Sequence, residues 1–266
     1  MDLKAHERRI ISTVVLLLVT SGCGSESSRT GAAESAIQID HVIWAVPDLD
    51  RGVEQFKQMS GIEAIVGGVH PGRGTRNSLV SAGENMYFEI IAPDPAQLPL
   101  DPAANPVQAF AHRISQMAAP EVDMFAVSAA DLESVVAKGR ELGLEVVGPT
   151  PGQRMTPEGV LIRWSHVDFV GHGFGQFIPF ALNWLDSPHP STTSPRGATI
   201  VGITVEHPRA DELRRIYEGL GIPARVVQAA EPRIVVHMRS PKGSFDVTSG
   251  ISLVSYYEAR SGANIE

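Results

Sequence analysis

The stretch IDHVIWAVPDLDRGVEQFKQMSGIEAIVGG, residues 39–68, decides the fold, because it reads strand, turn, helix, glycine, strand. Two later stretches read the same way: EVDMFAVSAADLESVVAKGRELGLEVVGPT at 121–150 and TIVGITVEHPRADELRRIYEGLGIPARVVQ at 199–228. Their starts lie about 80 residues apart, a spacing that leaves room in each for two further strands and marks an internal repeat. Leu132, Val135, Val136, Gly139 and Leu142 recur at three-and-four spacing, as do Leu213, Ile216, Tyr217 and Leu220, so each presents one apolar helix face. Asp48, Asp131 and Asp211 stand before or at the helix starts, where a carboxylate caps free amides. Gly61, Gly143 and Gly221 follow the helices.

Further strands are expected at about 77–82 and 86–92, at 161–169 and 177–184, and at 233–239 and 244–248. The expected architecture is therefore α+β, built from repeated βαβββ units. Two of them (37–92 and 121–185) make one domain over residues 37–190, and a third, partial unit spans 198–249. Pro-rich connectors at 93–120 and 186–197 separate the units, the first with a short helix near 107–117. The tail, 250–266, fits no repeat.

Composition narrows the function. The chain has 266 residues, 22 Lys+Arg against 30 Asp+Glu, 43% apolar and 20% charged residues. That is globular usage, long enough for a sizeable core. The net charge of −8 leaves no basic face for nucleic acid, so no nucleic-acid partner is expected. One cysteine excludes an intramolecular disulfide and a cysteine-rich zinc site. No GxSxG elbow is present, and the lone cysteine lies outside the repeats, so nucleophilic catalysis has no candidate.

That cysteine has a context of its own. Lys4, Arg8 and Arg9 precede the apolar run Ile10–Val19, then the small residues Thr20, Ser21 and Gly22, then Cys23. A basic start, a short apolar core and small residues describe a secretory signal over 1–22. The run resembles a bacterial lipobox, which implies lipidation at Cys23, with plain secretion and an uncleaved anchor as the alternatives. Residues 23–36, rich in Gly, Ser, Ala and Glu, read as a flexible tether. The expected location is the cell envelope, with the membrane contacted through a lipid anchor.

The repeat with its opening DHVxxAVPDLD strand resembles the vicinal oxygen chelate superfamily. More narrowly, GGVHPGRGTRNSLV (67–80) and MYFEIIAPDP (86–95) resemble its glyoxalase-like domain subgroup. The resemblance implies two units curled into a half-open cup that holds a divalent metal (zinc, nickel, manganese or iron). Carried over, it points to His41 on the first strand and Glu89 on the fourth, Glu89 being also the catalytic candidate. Strand parity agrees, since Ile37, Ile39, His41 and Ile43 share one face and Tyr87, Glu89 and Ile91 another. Unit two offers only Asp123 and Met124 at the position matching His41, and Asn183 on its last strand. A third ligand is therefore expected from His166, with His172 and His70 behind it.

The loop from His70 to Asn77 supplies His70, Arg73, Thr75 and Asn77 as donors to a carboxylate, carbonyl or diol, or else it is a turn that locks the sheet. Three functions stay open. One is a metal-dependent lyase, isomerase or dioxygenase acting on a small oxygenated molecule. Another is a metal-free small-molecule binder whose cavity is lined by Trp44, Phe88, Trp164, Phe180 and Trp184. The third is an accessory envelope lipoprotein with unit three as a partner surface.

Overall fold

The computed structural model describes residues 37–250, so the expected signal, Cys23, the tether and all of the tail beyond Gly250 lie outside the described residues. The first stretch runs β1 (Gln38–Ala45), α1 (Leu49–Ser60), β2 (Ile65–His70), β3 (Thr75–Gly83), β4 (Met86–Pro93), α2 (Ala109–Ser115), β5 (Glu121–Ser128), α3 (Leu132–Glu141), β6 (Glu145–Met155), β7 (Leu161–Val170) and β8 (Phe180–Asn183). The rest is β9 (Thr199–His207), α4 (Ala210–Leu220), β10 (Arg225–Gln228), β11 (Arg233–Ser240) and β12 (Gly243–Thr248).

Strands β1 to β8 form a closed barrel in the order β1-β4-β3-β2-β6-β7-β8-β5, not the half-open cup the resemblance implies. Closure is thin. β2 meets β6 through one residue pair, Val69 with Met155. Gly68, at φ +141°, makes that approach possible, since a β-carbon there would lie 1.9 Å from the Met155 carbonyl oxygen. β9 to β12 form a separate sheet, β10-β9-β11-β12, with a helix of its own, a fuller unit than the partial one expected.

The helices form where the apolar spacing and the caps agree. Asp48 accepts from the Arg51 amide at 2.9 Å and Asp131 from the Ser134 amide at 3.1 Å. Asp211 does not cap α4. It sits in the first turn and pairs with Arg214 at 2.6 Å, while Arg209 holds the cap position without a side-chain bond. β8 is shorter than expected: a 3-10 turn at Gly175–Phe177 takes the first expected residue, and pairing begins only at Phe180.

Alternation along each strand separates two layers. On β1 and β4, Val42, Trp44, Phe88 and Ile90 face the helices and are almost wholly buried. Phe56 of α1 stacks on Phe88 with centroids 5.0 Å apart, fixing the helix to the barrel wall. Burial of a side chain of this size stabilises by about 1.5–3 kcal/mol. The same core continues into the last sheet, where Tyr217 of α4 packs against Phe125 and donates its hydroxyl to the Phe177 carbonyl. The opposite faces of these strands point into the barrel. Among the described residues no helix is long and apolar enough to cross a membrane.

Candidate active site inside the barrel

The barrel encloses a cavity of about 330 Å³, within the ordinary range for small-molecule sites. β1 contributes His41 and Ile43, and β4 contributes Tyr87, Glu89 and Ile91. The parallel register sets His41 beside Tyr87 and Ile43 beside Glu89, so the imidazole and the carboxylate are neighbours on rigid strands. His41 Nε2 lies 3.8 Å from Glu89 Oε2. Its other nitrogen, Nδ1, is 2.7 Å from Asp40 Oδ1.

Asp40 reaches this position because of a bulge. The register against β5 jumps from Ile39–Val127 to His41–Ala126, and Asp40 has no partner in that ladder. Its other oxygen accepts from Trp184 Nε1 at 3.0 Å and lies 3.3 Å from His189 Nε2. Burial alone would raise this carboxyl. The hydrogen bonds from His189 and His41, with the charges of those two rings, outweigh it and hold Asp40 at about 2. An ionised Asp40 only accepts, so His41 donates from Nδ1 and turns Nε2 toward Glu89. Tyr87 stacks on the His41 ring at 4.4 Å and fixes its plane. Burial pushes the Tyr87 phenol well above its usual value, so it stays protonated.

The loop residues fall where the sequence placed them. His70, Arg73, Thr75 and Asn77 all line the cavity, and the segment is also the β2–β3 hairpin turn. The side chain of Gln97, from the first connector, ties that turn down by accepting from the Gly72 and Gly74 amides. Asn77 donates to Glu89 Oε1 at 2.5 Å, and His70 Nδ1 sits 2.9 Å from Thr75 Oγ1. Burial lowers His70 to about 4, against the opposing charge of Glu89 and with help from Arg154, Arg73 and His41, so this ring is neutral near pH 7.

Unit two contributes the apolar half. Met124, Phe180 and Leu182 face the cavity from β5 and β8, whereas Asn183 faces away and bonds the Ala129 and Ala130 carbonyls. Asp123 is paired with Arg113 of α2. Trp164, Phe180 and Trp184 line the cavity as expected. Trp44 and Phe88 do not, because they alternate outward into the core under α1.

His41 and Glu89 come together, but His166 does not join them. It contacts Phe180 from β7 and lies 3.3 Å from Asp168, while His172 turns to the Phe169 carbonyl. Among the described residues no group of three His, Cys, Asp or Glu is placed to hold a metal. A catalytic metal centre takes three protein ligands, and the two donors here do not fit one. Asp40, Arg154 and His189 escape the sequence reading. The adjacent Asp40-His41 dipeptide carries a signal for the first, and the others come from a strand and a connector far away in the chain.

With the geometry in place, comparisons locate the chain among known proteins. Its structure resembles the crystal structure of a hypothetical protein from Staphylococcus aureus, with 17% identity, a TM-score of 0.56, and 80% of this chain and 88% of that one covered. It also resembles methylmalonyl-CoA epimerase from Mycobacterium tuberculosis, with 20% identity, a TM-score of 0.37, and 57% and 89% covered. A mutant 4-hydroxymandelate synthase from Streptomyces coelicolor has 17% identity, a TM-score of 0.46, and 80% and 63% covered. The first likeness shows a shared fold. No curated protein matches the sequence. The glyoxalase-like domain pattern matches residues 39–221, well over half of the sequence, and the chain therefore belongs to the glyoxalase-like domain family.

Proposed function

We propose that the chain is an enzyme of the isomerase or lyase type that moves a proton on a small oxygenated molecule held inside the barrel. The observation that carries this reading is the line Asp40–His41–Glu89, at 2.7 Å and 3.8 Å, with all three side chains buried and with His41 and Glu89 lining the cavity. His41 Nε2 takes a proton from carbon next to a carbonyl, and Asp40 stabilises the imidazolium that results. Glu89, oriented by Asn77, faces the same space, so a proton can return from either group. The neutral Tyr87 hydroxyl and the His70 ring offer hydrogen bonds to the oxygen on which charge develops.

The family resemblance points to a metal held by His41 and Glu89, with His166 as the expected third donor. The donor set described above stops at two, and for that reason proton transfer by the side chains themselves is the reading proposed. The experiment is to screen small hydroxy and oxo acids for turnover with the wild type, His41→Ala and Glu89→Gln. Turnover lost in both variants supports the reading. Turnover that persists in both would remove it.

The aromatic wall of Trp164, Trp184 and Phe180 favours a second reading, a sequestering binder. Under it, ligands bind to the wild type and leave unchanged. We further propose, from the basic, apolar and small-residue order that ends at Cys23, that the protein is exported and lipid-anchored in the cell envelope.

A further inference from the structure

Arg154 is a buried charge in the cavity with no carboxylate ion-paired to it among the described residues. It lies near the end of β6, lines the cavity and is 6% exposed. Its hydrogen bond goes to the Gly67 carbonyl across the β2–β6 seam, and among the described residues no ion pair joins it to a carboxylate. The other acids that line the cavity are engaged elsewhere. Asp123 is paired with Arg113, Glu89 is bonded to Asn77 beside His41, and Asp168 lies beside His166. A buried guanidinium held by one backbone oxygen is costly unless something else neutralises it. Its charge reaches both His70 and Tyr87, which line the same space. A second cation, Arg73, stands exposed at the rim. Trp164, on the neighbouring strand β7 where it pairs with Gly152, and Trp184 line the same cavity with ring centroids 5.6 Å apart, as do Phe110 and Phe180.

We infer that the ligand of this cavity is a small carboxylate with a flat apolar body, its anionic end paired with Arg154 and its body set against Trp164 and Trp184. This deepens the proposed function, since it rests on the barrel cavity being the working site. It does not rest on the reaction. A guanidinium presents paired donors that match a carboxylate, and the low-dielectric cavity strengthens that pairing. The carboxylate would also hold the adjacent carbon in the region shared by His41 and Glu89.

The test is a binding titration read by tryptophan quenching, using benzoate, phenylacetate and mandelate against benzamide, phenylacetamide and mandelamide. The wild type is expected to prefer each acid over its amide by ~30-fold or more, the scale of a buried charge pair. Arg154→Gln should abolish that preference by weakening the acids and sparing the amides. Arg154→Lys, which keeps the charge and loses the fork, should retain part of it. Should Arg154→Gln fail to fold at the barrel seam, the acid-to-amide ratio in the wild type and in Arg154→Lys still decides the matter. Equal binding of acids and amides, no quenching by either, or equal weakening of both by Arg154→Gln would overturn the inference and leave Arg154 as a strut of the seam. A clear preference for acids with no turnover of any acid would instead count against the proposed reaction alone.

Discussion

Asp40 Oδ1 lies 2.7 Å from His41 Nδ1, and neither side chain is more than 5% exposed. The carboxylate is shared, because Trp184 and His189 bond its other oxygen from the far end of unit two and from the connector beyond it. The residue that orients the candidate base is thus itself held by parts of the chain more than 140 positions away. Asp40→Asn offers an amide where two rings and an indole need an acceptor. It is expected to cost about 1–3 kcal/mol of stability, the scale of a buried polar group left badly paired. Proton-transfer rate should fall by ~100-fold to 10⁴-fold with binding retained, since the tautomer of His41 is no longer enforced. Urea unfolding and ligand titration measured together separate the two effects.

Acid should destabilise the protein through His70. This ring is held at about 4 in the fold, against an ordinary 6.5. The unfolded chain therefore gains a proton that the folded chain refuses until the lower value is reached, and stability falls as pH drops from about 6.5 to about 4. The window corresponds to roughly 3 kcal/mol in all, at about 1.4 kcal/mol per unit. Asp40, depressed to about 2, adds a further loss below its ordinary 3.8. Urea midpoints at pH 7, 5.5 and 4 should slope downward in the wild type, with a shallower slope in His70→Gln.

Glu89 depends on Asn77 for its orientation. Asn77→Leu, alike in branching but unable to donate, leaves Oε1 of a buried carboxylate without that partner. The expected result is a loss of turnover of ~10-fold to 100-fold, with the fold kept. Asn77→Asp, which sets a second acid against Glu89, should be worse than Asn77→Leu in both stability and rate.

Barrel closure should be sensitive at Gly68. A β-carbon there would meet the Met155 carbonyl at 1.9 Å, and the backbone angle is one that other residues resist. Gly68→Ala is expected to cost about 2 kcal/mol or more. Hydrogen exchange should show the loss concentrated in β2 and in the end of β6. A uniform loss across the fold would point away from the seam.

Lipid anchoring has a separate check. Cys23→Ser in the full chain should move the protein from the membrane fraction to the soluble fraction of the expressing cells. An unchanged membrane fraction would exclude a lipid at that residue.

Much of the fold was legible because periodicity and punctuation agreed. Asp48 and Asp131 cap their helices as read, and the alternation of His41 with Trp44, and of Glu89 with Phe88, sorts cavity from core correctly. Closure of the barrel was not legible, because it depends on one glycine meeting one distant carbonyl. The HPGxGTxN loop announced its residues by motif, and all four candidates line the cavity. Arg154 and His189 could not be found that way. Each is an ordinary polar residue locally, and each matters only through a partner 87 or 149 residues away. Asn183, which offered no acid on the last strand of unit two, turns away from the cavity, and Leu182 takes the inward place.

The most direct test of the central claim is hydrogen exchange on carbon. Small carboxylic acids that quench the cavity tryptophans are incubated with the full protein in heavy water, with and without chelator. Mass spectrometry then reads the deuterium gained beside the carbonyl. The expected result is that at least one acid gains deuterium with the wild type, equally with chelator present, and that the gain disappears with His41→Ala and Glu89→Gln. Acids that bind but gain no more deuterium with the wild type than with His41→Ala, or exchange that chelator abolishes and added zinc, nickel, manganese or iron restores, would contradict it.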